Sequence, residues 1–233
     1  MMSVPLPAEK ALTIYEVLRS VYGERPWQSH GEPIEELIST ILSQNTSDAN
    51  SGRAYRLLQE AFPTWEAIRD APAAAIAEAI RVGGLAHIKA PRIQEVLRQI
   101  YAERGSFDLG FLRTMPVAEA RAWLLSLRGV GPKTASCVLL FSLGLPALPV
   151  DTHVHRMSLR LGLVPLKTSP ERTSGMLEAM LPAELYYPFH MHLIRHGREV
   201  CRSQRPRCEV CPLAPHCDYF QRVHAQRPAT TSP

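Results

Sequence analysis

Lysine is scarce in this chain: four lysines stand against twenty-two arginines in 233 residues. Arginine therefore carries most of the positive charge, and each lysine is a candidate for a task arginine cannot perform. Long hydrophobic runs are also missing, so no segment is apolar enough for long enough to span a bilayer. The opening MMSVPLP has neither the apolar core nor the cleavage signal of a secretory leader. The expectation is a cytoplasmic protein without a membrane partner. Alternating runs of strand type are absent, as is any solenoid-type repeat, which argues for an all-α protein. A net charge of +4 permits a nucleic-acid partner without specifying one.

What the chain does have is a series of helical segments with proline and glycine stops. The pattern predicts helices over Ala8–Val21, Pro33–Ser43, Ser47–Ala61, Thr64–Arg69, Pro72–Val82, Ala90–Tyr101 and Val117–Leu127. Pro33 followed by Glu35 and Glu36 is a strong helix opening, and Gly83–Gly84 is a clear stop. The tail from residue 224 to 233 is polar and rich in Pro and Thr, and is expected to be disordered.

The segment LRGVGPKTASCVLLFSLGLPALPVD, Leu127 to Asp151, carries the chemistry. Gly129 and Gly131 break one helix, and Pro132 suits the first position of the next. Helix, tight glycine turn and helix together leave backbone N–H groups pointing outward at a helix start, where an anion such as a DNA phosphate can sit. For Gly-x-Gly alone, a plain helical hairpin with a glycine turn is the favoured reading. Lys133 lies in the first turn. A lysine amine can lose its proton and attack carbon, whereas arginine effectively cannot. On the hairpin alone, a nucleophile and a phosphate contact are equally supported. Asp151, after a stiff connector with Pro146 and Pro149, reads as the N-cap of another helix, a role compatible with catalysis.

Cys201, Cys208, Cys211 and Cys217 form C-x6-C-x2-C-x5-C within seventeen residues. In a reducing compartment four clustered thiols read as metal ligands. Their spacing leaves zinc and an iron–sulfur cluster open. Cys137 reads as a small buried apolar residue, and His190, His192 and His196 as structural. Arg195, Arg198, Arg202, Arg205 and Arg207 crowd into thirteen positions beside the thiols and form a candidate DNA-facing patch.

Taken together, GVGPKTA, VDTHVHR and the cysteine cluster resemble endonuclease III, a DNA glycosylase with lyase activity in the helix-hairpin-helix glycosylase superfamily; the likeness covers residues 10 to 220 or so. The resemblance implies a two-lobed all-α fold. Residues 26–137 would form a lobe containing the hairpin, and 1–25 with 138–223 a second lobe bearing a cluster loop at 201–217. It implies that Lys133 attacks C1′ of the damaged nucleotide to form a Schiff base, that Asp151 is the catalytic carboxylate, and that the four cysteines bind a [4Fe–4S] cluster. It further implies a monomer acting on double-stranded DNA with oxidised pyrimidines or abasic sites, and cutting by β-elimination. DNA contacts are expected from Gln44, Asn45, Leu85, His87, Gly129, Val130, Gly131, Thr134 and His153. Leu85 matches a wedge residue; Asn45 matches the position of a gap-filling Gln, with Gln44 just before it. The chain departs from the family in having Arg128 before the glycine turn and Pro132 before the lysine. A mismatch-specific glycosylase of the same superfamily, or a non-catalytic DNA-binding or redox-sensing protein on this scaffold, are the other readings.

Overall fold

The computed structural model describes residues 7–225, and among these no strand occurs. Two compact units divide the chain: Gln28–Ala147 forms one, and the segments before and after it form the other. None of the described helices is long and apolar enough to cross a membrane.

The first unit is built from seven helices: α2 (Pro33–Ser43), α3 (Asp48–Ala61), α4 (Trp65–Asp70), α5 (Ala73–Ala79), α6 (Ala86–Arg104), α7 (Val117–Ser126) and α8 (Pro132–Cys137), with α1 (Pro7–Tyr22) preceding them in the chain and belonging to the other unit. Local chemistry sets most of the ends. Pro33 opens α2, and the Glu35 side chain accepts the N–H of Glu32 at 3.4 Å. Ser47 and Thr64, expected as first residues of α3 and α4, are instead their caps, accepting from Asn50 and Ala67 N–H groups. Helix α5 ends earlier than expected and gives way to a 3₁₀ turn over Arg81–Gly83. Helix α6 begins four residues before the expected Ala90 and carries Pro91 in its second turn. Helix α8 continues without a break into a π-helical turn, Val138–Ser142.

One hydrophobic core holds this unit. Leu37, Ile38 and Ile41 of α2 join Ile93, Val96 and Leu97 of α6 and Leu124 of α7, all fully buried. Val138, Leu139, Leu143 and Ala147 lie in the same core. Residues 138–147 therefore belong with the hairpin, not with the second lobe in which the resemblance places them: the π turn is apolar except for Ser142 and is buried throughout.

The second unit contains α1, α9 (Thr152–Leu161), α10 (Pro170–Met180), α11 (Tyr186–Glu199) and α12 (Asp218–Ala225). Helix α11 is its centre, with Phe189, His190, His192, Leu193 and His196 buried. The histidines satisfy buried polar groups: His190 Nδ1 bonds Pro149 O at 2.8 Å and His192 Nε2 bonds Gly23 O at 3.0 Å. The tail expected from residue 224 starts inside α12, which runs to Ala225; the rest of that expectation lies outside the described residues.

Candidate functional site

Helix α7 stops at Leu127, whose backbone is extended, and the chain turns through Arg128–Gly131 into α8. The Val130 N–H closes this turn onto Leu127 O at 3.0 Å. Gly129 takes φ +87°, in the left-handed region, and its Cα faces the stem of Arg92. Gly131 caps α8 with an ordinary φ of −98°, and a Cβ added there would meet nothing within 4 Å. Lys133 follows in the first turn, partly exposed. The first-turn N–H groups have no helical partner. Pro132 contributes none, so Gly131, Lys133 and Thr134 are the donors at this end.

Two expected DNA contacts change character here. Val130 is buried and its N–H is used by the turn. Thr134 is 3% exposed, so its side chain packs inward and only its N–H is at the helix start. Arg128 projects from the turn, 3.6 Å from Glu95 in an exposed ion pair.

Beside the hairpin, the same unit presents two loops. In one, Gln44 ends α2 and Asn45 follows with φ +53°, exposed. In the other, Gly84 and Leu85 both have positive φ, and Leu85 is 42% exposed at the start of α6 with Ile88 one turn later at 45%. An exposed left-handed leucine is costly both in hydration and in backbone strain, a combination typical of functional positions. His87 is exposed on the same first turn.

Two residues the sequence reading passed over hold these loops. Lys89 is 2% exposed and its ammonium donates to Leu42 O at 2.7 Å and Gly83 O at 2.9 Å. It thus ties the residue two before Gln44 to the residue two before Leu85. Burial pushes its pKa down from the usual lysine value. Arg92, one turn on, donates through Nη1 to Gln44 Oε1 at 2.7 Å. A lysine and an arginine on a helix ordinarily mark a solvated face; the signal available was that Lys89 falls among the apolar positions of α6.

In the second unit, Asp151 caps α9, its Oδ1 accepting from His153 N at 2.9 Å and Val154 N at 2.8 Å. Both bonds fall on one oxygen, which leaves Oδ2 uncommitted to the cap. The connector before it is pinned: Leu148 N–H donates to Glu178 Oε1 at 2.8 Å and Leu148 O accepts from Ser174 Oγ at 2.8 Å. His153 packs against Gly197, and its Nδ1 lies 3.1 Å from Arg156 Nη2.

All four candidate ligands line one cavity, with Arg160, Pro206, Tyr219 and Phe220 completing much of its wall. No disulfide joins them. Among the described residues no three His, Cys, Asp or Glu groups converge on a single metal-ion position. Burial raises the thiol pKa of Cys208 and Cys217, and that of Cys211 to about 11. Burial thus disfavours the thiolate form of all three, and a bound cation would offset that cost. Three donor groups contact the cysteines. Arg160 Nη1 reaches Cys201 Sγ at 3.3 Å and Arg202 O at 2.6 Å. His196, its pKa pushed down by burial to about 4, points Nε2 at Cys211 Sγ at 3.3 Å. Arg156, the last residue of VDTHVHR, donates to Gly197 O and Cys201 O, each at 2.9 Å. Arg156 and Arg160 thus brace the helix that Asp151 caps against the first thiol.

Of the basic residues near the cluster, Arg202, Arg205 and Arg207 are exposed, while Arg195 is engaged with Glu199 at 3.0 Å and lies over the Tyr22 ring.

Comparison with known proteins agrees with this architecture. The model of the HhH-GPD superfamily of base excision DNA repair proteins matches residues 38–183. Endonuclease III of Thermotoga maritima is 37% identical over 211 residues, which are 90% of this chain and 94% of that protein. Endonuclease III of Bacillus subtilis is 34% identical over 193 residues, 83% of this chain and 84% of that one. A solved structure of a trapped endonuclease III–DNA covalent intermediate aligns with a TM-score of 0.82 at 28% identity, over 94% of this chain and 100% of that one. The match covers well over half the chain, and the chain belongs to the HhH-GPD superfamily of base excision DNA repair proteins.

Proposed function

We propose that the protein is a bifunctional DNA glycosylase and AP lyase that acts as a monomer on double-stranded DNA, removes oxidised pyrimidines and then cuts the strand 3′ to the abasic site. The observation that carries this is Lys133, a partly exposed amine in the first turn after the glycine hairpin. The trapped covalent complex of the similar endonuclease III supports a covalent enzyme–DNA step.

A base must leave the stack before an amine can reach its C1′, at a cost of a few kcal/mol that is least for a damaged base. Leu85, exposed and left-handed, is suited to wedge into the duplex, and a polar amide from the 44–45 loop to fill the gap. The hairpin N–H groups then hold a phosphate, which fixes register without reading sequence. The Lys133 amine displaces the base at C1′ and, on loss of a proton, the C1′–O4′ bond opens to an imine. The imine acidifies C2′–H; its loss breaks the C3′–O bond and cuts the strand. Asp151, held rigidly by its cap bonds, stabilises positive charge on the sugar and moves protons through its uncommitted oxygen.

The cysteine cavity fits an iron–sulfur cluster better than zinc. A zinc ion needs all four sulfurs within about 2.3 Å of one point, whereas among the described residues no three such groups converge on a single metal-ion position, although all four thiols line one cavity. Cys201, Cys208, Cys211 and Cys217 would hold a [4Fe–4S] cluster, which would supply a cross-link fixing the basic loop. Arg160 and His196 would donate to its sulfurs.

A panel of duplexes tests the reading. Abasic and oxidised-pyrimidine duplexes should be nicked by the purified protein. Activity confined to mismatches, or binding without nicking of the abasic duplex, would refute it.

A further inference from the structure

The 44–45 loop offers two amides, and its surroundings treat them differently. Gln44 is partly buried and its carbonyl oxygen is already taken by the Arg92 guanidinium at 2.7 Å. A hydrogen bond to a charged donor is among the stronger ones, so Gln44 is expensive to extract. Asn45 is exposed, with φ +53°, a conformation that Asn adopts more readily than most residues. Arg92 has a second engagement. Its Cγ and Cδ lie so close to Gly129 that an added Cβ would sit 2.6 and 2.7 Å from them. The guanidinium stem therefore runs between the glycine turn and Gln44. One helical turn earlier, Lys89 fixes Leu42 O and Gly83 O. A single stretch of α6 thus sets the positions of the amide loop, the wedge loop and the hairpin turn, all within one unit.

We propose that Arg92 is a positioning residue that sets opposite-base preference: it retains Gln44 at the protein surface, leaves Asn45 as the group that enters the duplex, and keeps the entering amide in register with the hairpin. This rests on the reading of the protein as a base-flipping glycosylase. Asn is one methylene shorter than Gln and carries both a donor and an acceptor. Its reach into the vacated space, and so the base it can meet across the gap, depends on where Arg92 holds its neighbour. Freed from Arg92, Gln44 competes for the same space with a longer reach.

The test is a double-mutant cycle on opposite-base preference. Single-turnover excision of one oxidised pyrimidine is measured opposite each of the four bases for the parent, Arg92→Met, Gln44→Ala, the double variant and Asn45→Ala. Asn45→Ala should flatten the preference. Arg92→Met should shift the ratio of rates by about threefold or more, and the shift should vanish when Gln44 is already Ala, because coupled neighbours are non-additive. A parent-like ratio in Arg92→Met, or a shift of equal size in the Gln44→Ala background, overturns the proposal. Should Met at 92 prevent folding, Arg92→Gln carries the same comparison. Parent activity separates the two claims: a parent that excises nothing and forms no covalent adduct refutes the glycosylase reading, whereas an active parent with an additive cycle refutes only the role of Arg92.

Discussion

The two glycines of the hairpin turn look equivalent in GVGPK, yet the structure assigns them opposite sensitivities. Gly129 sits at φ +87°, where an L-residue pays about 1–2 kcal/mol. A methyl group there would also press into the Arg92 stem at 2.6 Å. Relief requires Arg92 to move, which breaks its bond to Gln44, an interaction of about 1.5–3 kcal/mol for a charged donor. Gly129→Ala should therefore cost about 2.5–5 kcal/mol, a large share of the typical 5–15 kcal/mol stability, and lower the urea midpoint by about 1 M or more. Gly131→Ala meets no atom within 4 Å and keeps an ordinary φ. Its stability should change by less than about 1 kcal/mol, the scale of a modest capping loss. Its methyl group would, however, stand where a phosphate oxygen must approach the first-turn N–H groups. Affinity for an abasic duplex should fall about tenfold, or about 1.4 kcal/mol. Urea unfolding and fluorescence anisotropy measure the two effects. A Gly129→Ala protein as stable as the parent would refute the strain argument, and full DNA affinity in Gly131→Ala would refute the phosphate cradle.

Three further outcomes are expected. Burial holds the Lys89 pKa below its usual 10.5, so the unfolded chain binds more protons between the lowered value and 10.5, and this group's contribution makes stability rise as pH climbs through that window. Lys89→Met should remove that rise, and urea midpoints with an unchanged alkaline slope would contradict it. Asp151→Asn keeps a good helix cap, so stability should hold within about 0.5 kcal/mol while single-turnover base excision drops about 10²-fold or more; an unchanged rate would reduce Asp151 to a cap. Protein purified without oxygen should be brown with about four irons per chain, and Cys208→Ser should lose the colour; a colourless parent carrying one zinc would contradict the cluster.

Much of the local structure was legible because it depends on neighbours in sequence. Pro33 with its acidic first turn marks the start of α2 where the structure has it, and Asp151 is readable as a cap from the residues that follow it. What stayed hidden depends on contacts far apart in the chain. Nothing near Pro91 announces that α6 extends back to Ala86, because the anchor there is Lys89 reaching Leu42, 47 residues away. Arg92 is likewise defined by Gln44, 48 residues away. The π turn after α8 looked like the beginning of a new lobe, and only the shared core shows that Val138 to Ala147 close the first unit. Arg156 was within the VDTHVHR segment all along, but its work on Gly197 O and Cys201 O is visible only once α9 and α11 are packed.

The central claim is that Lys133 is the nucleophile, and borohydride reduction tests it most directly. Incubating the protein with an abasic duplex and borohydride should trap a covalent adduct whose modified peptide contains Lys133, and Lys133→Gln should give none while still binding the duplex. An adduct mapped to another amine, or equal trapping by Lys133→Gln, would contradict the account.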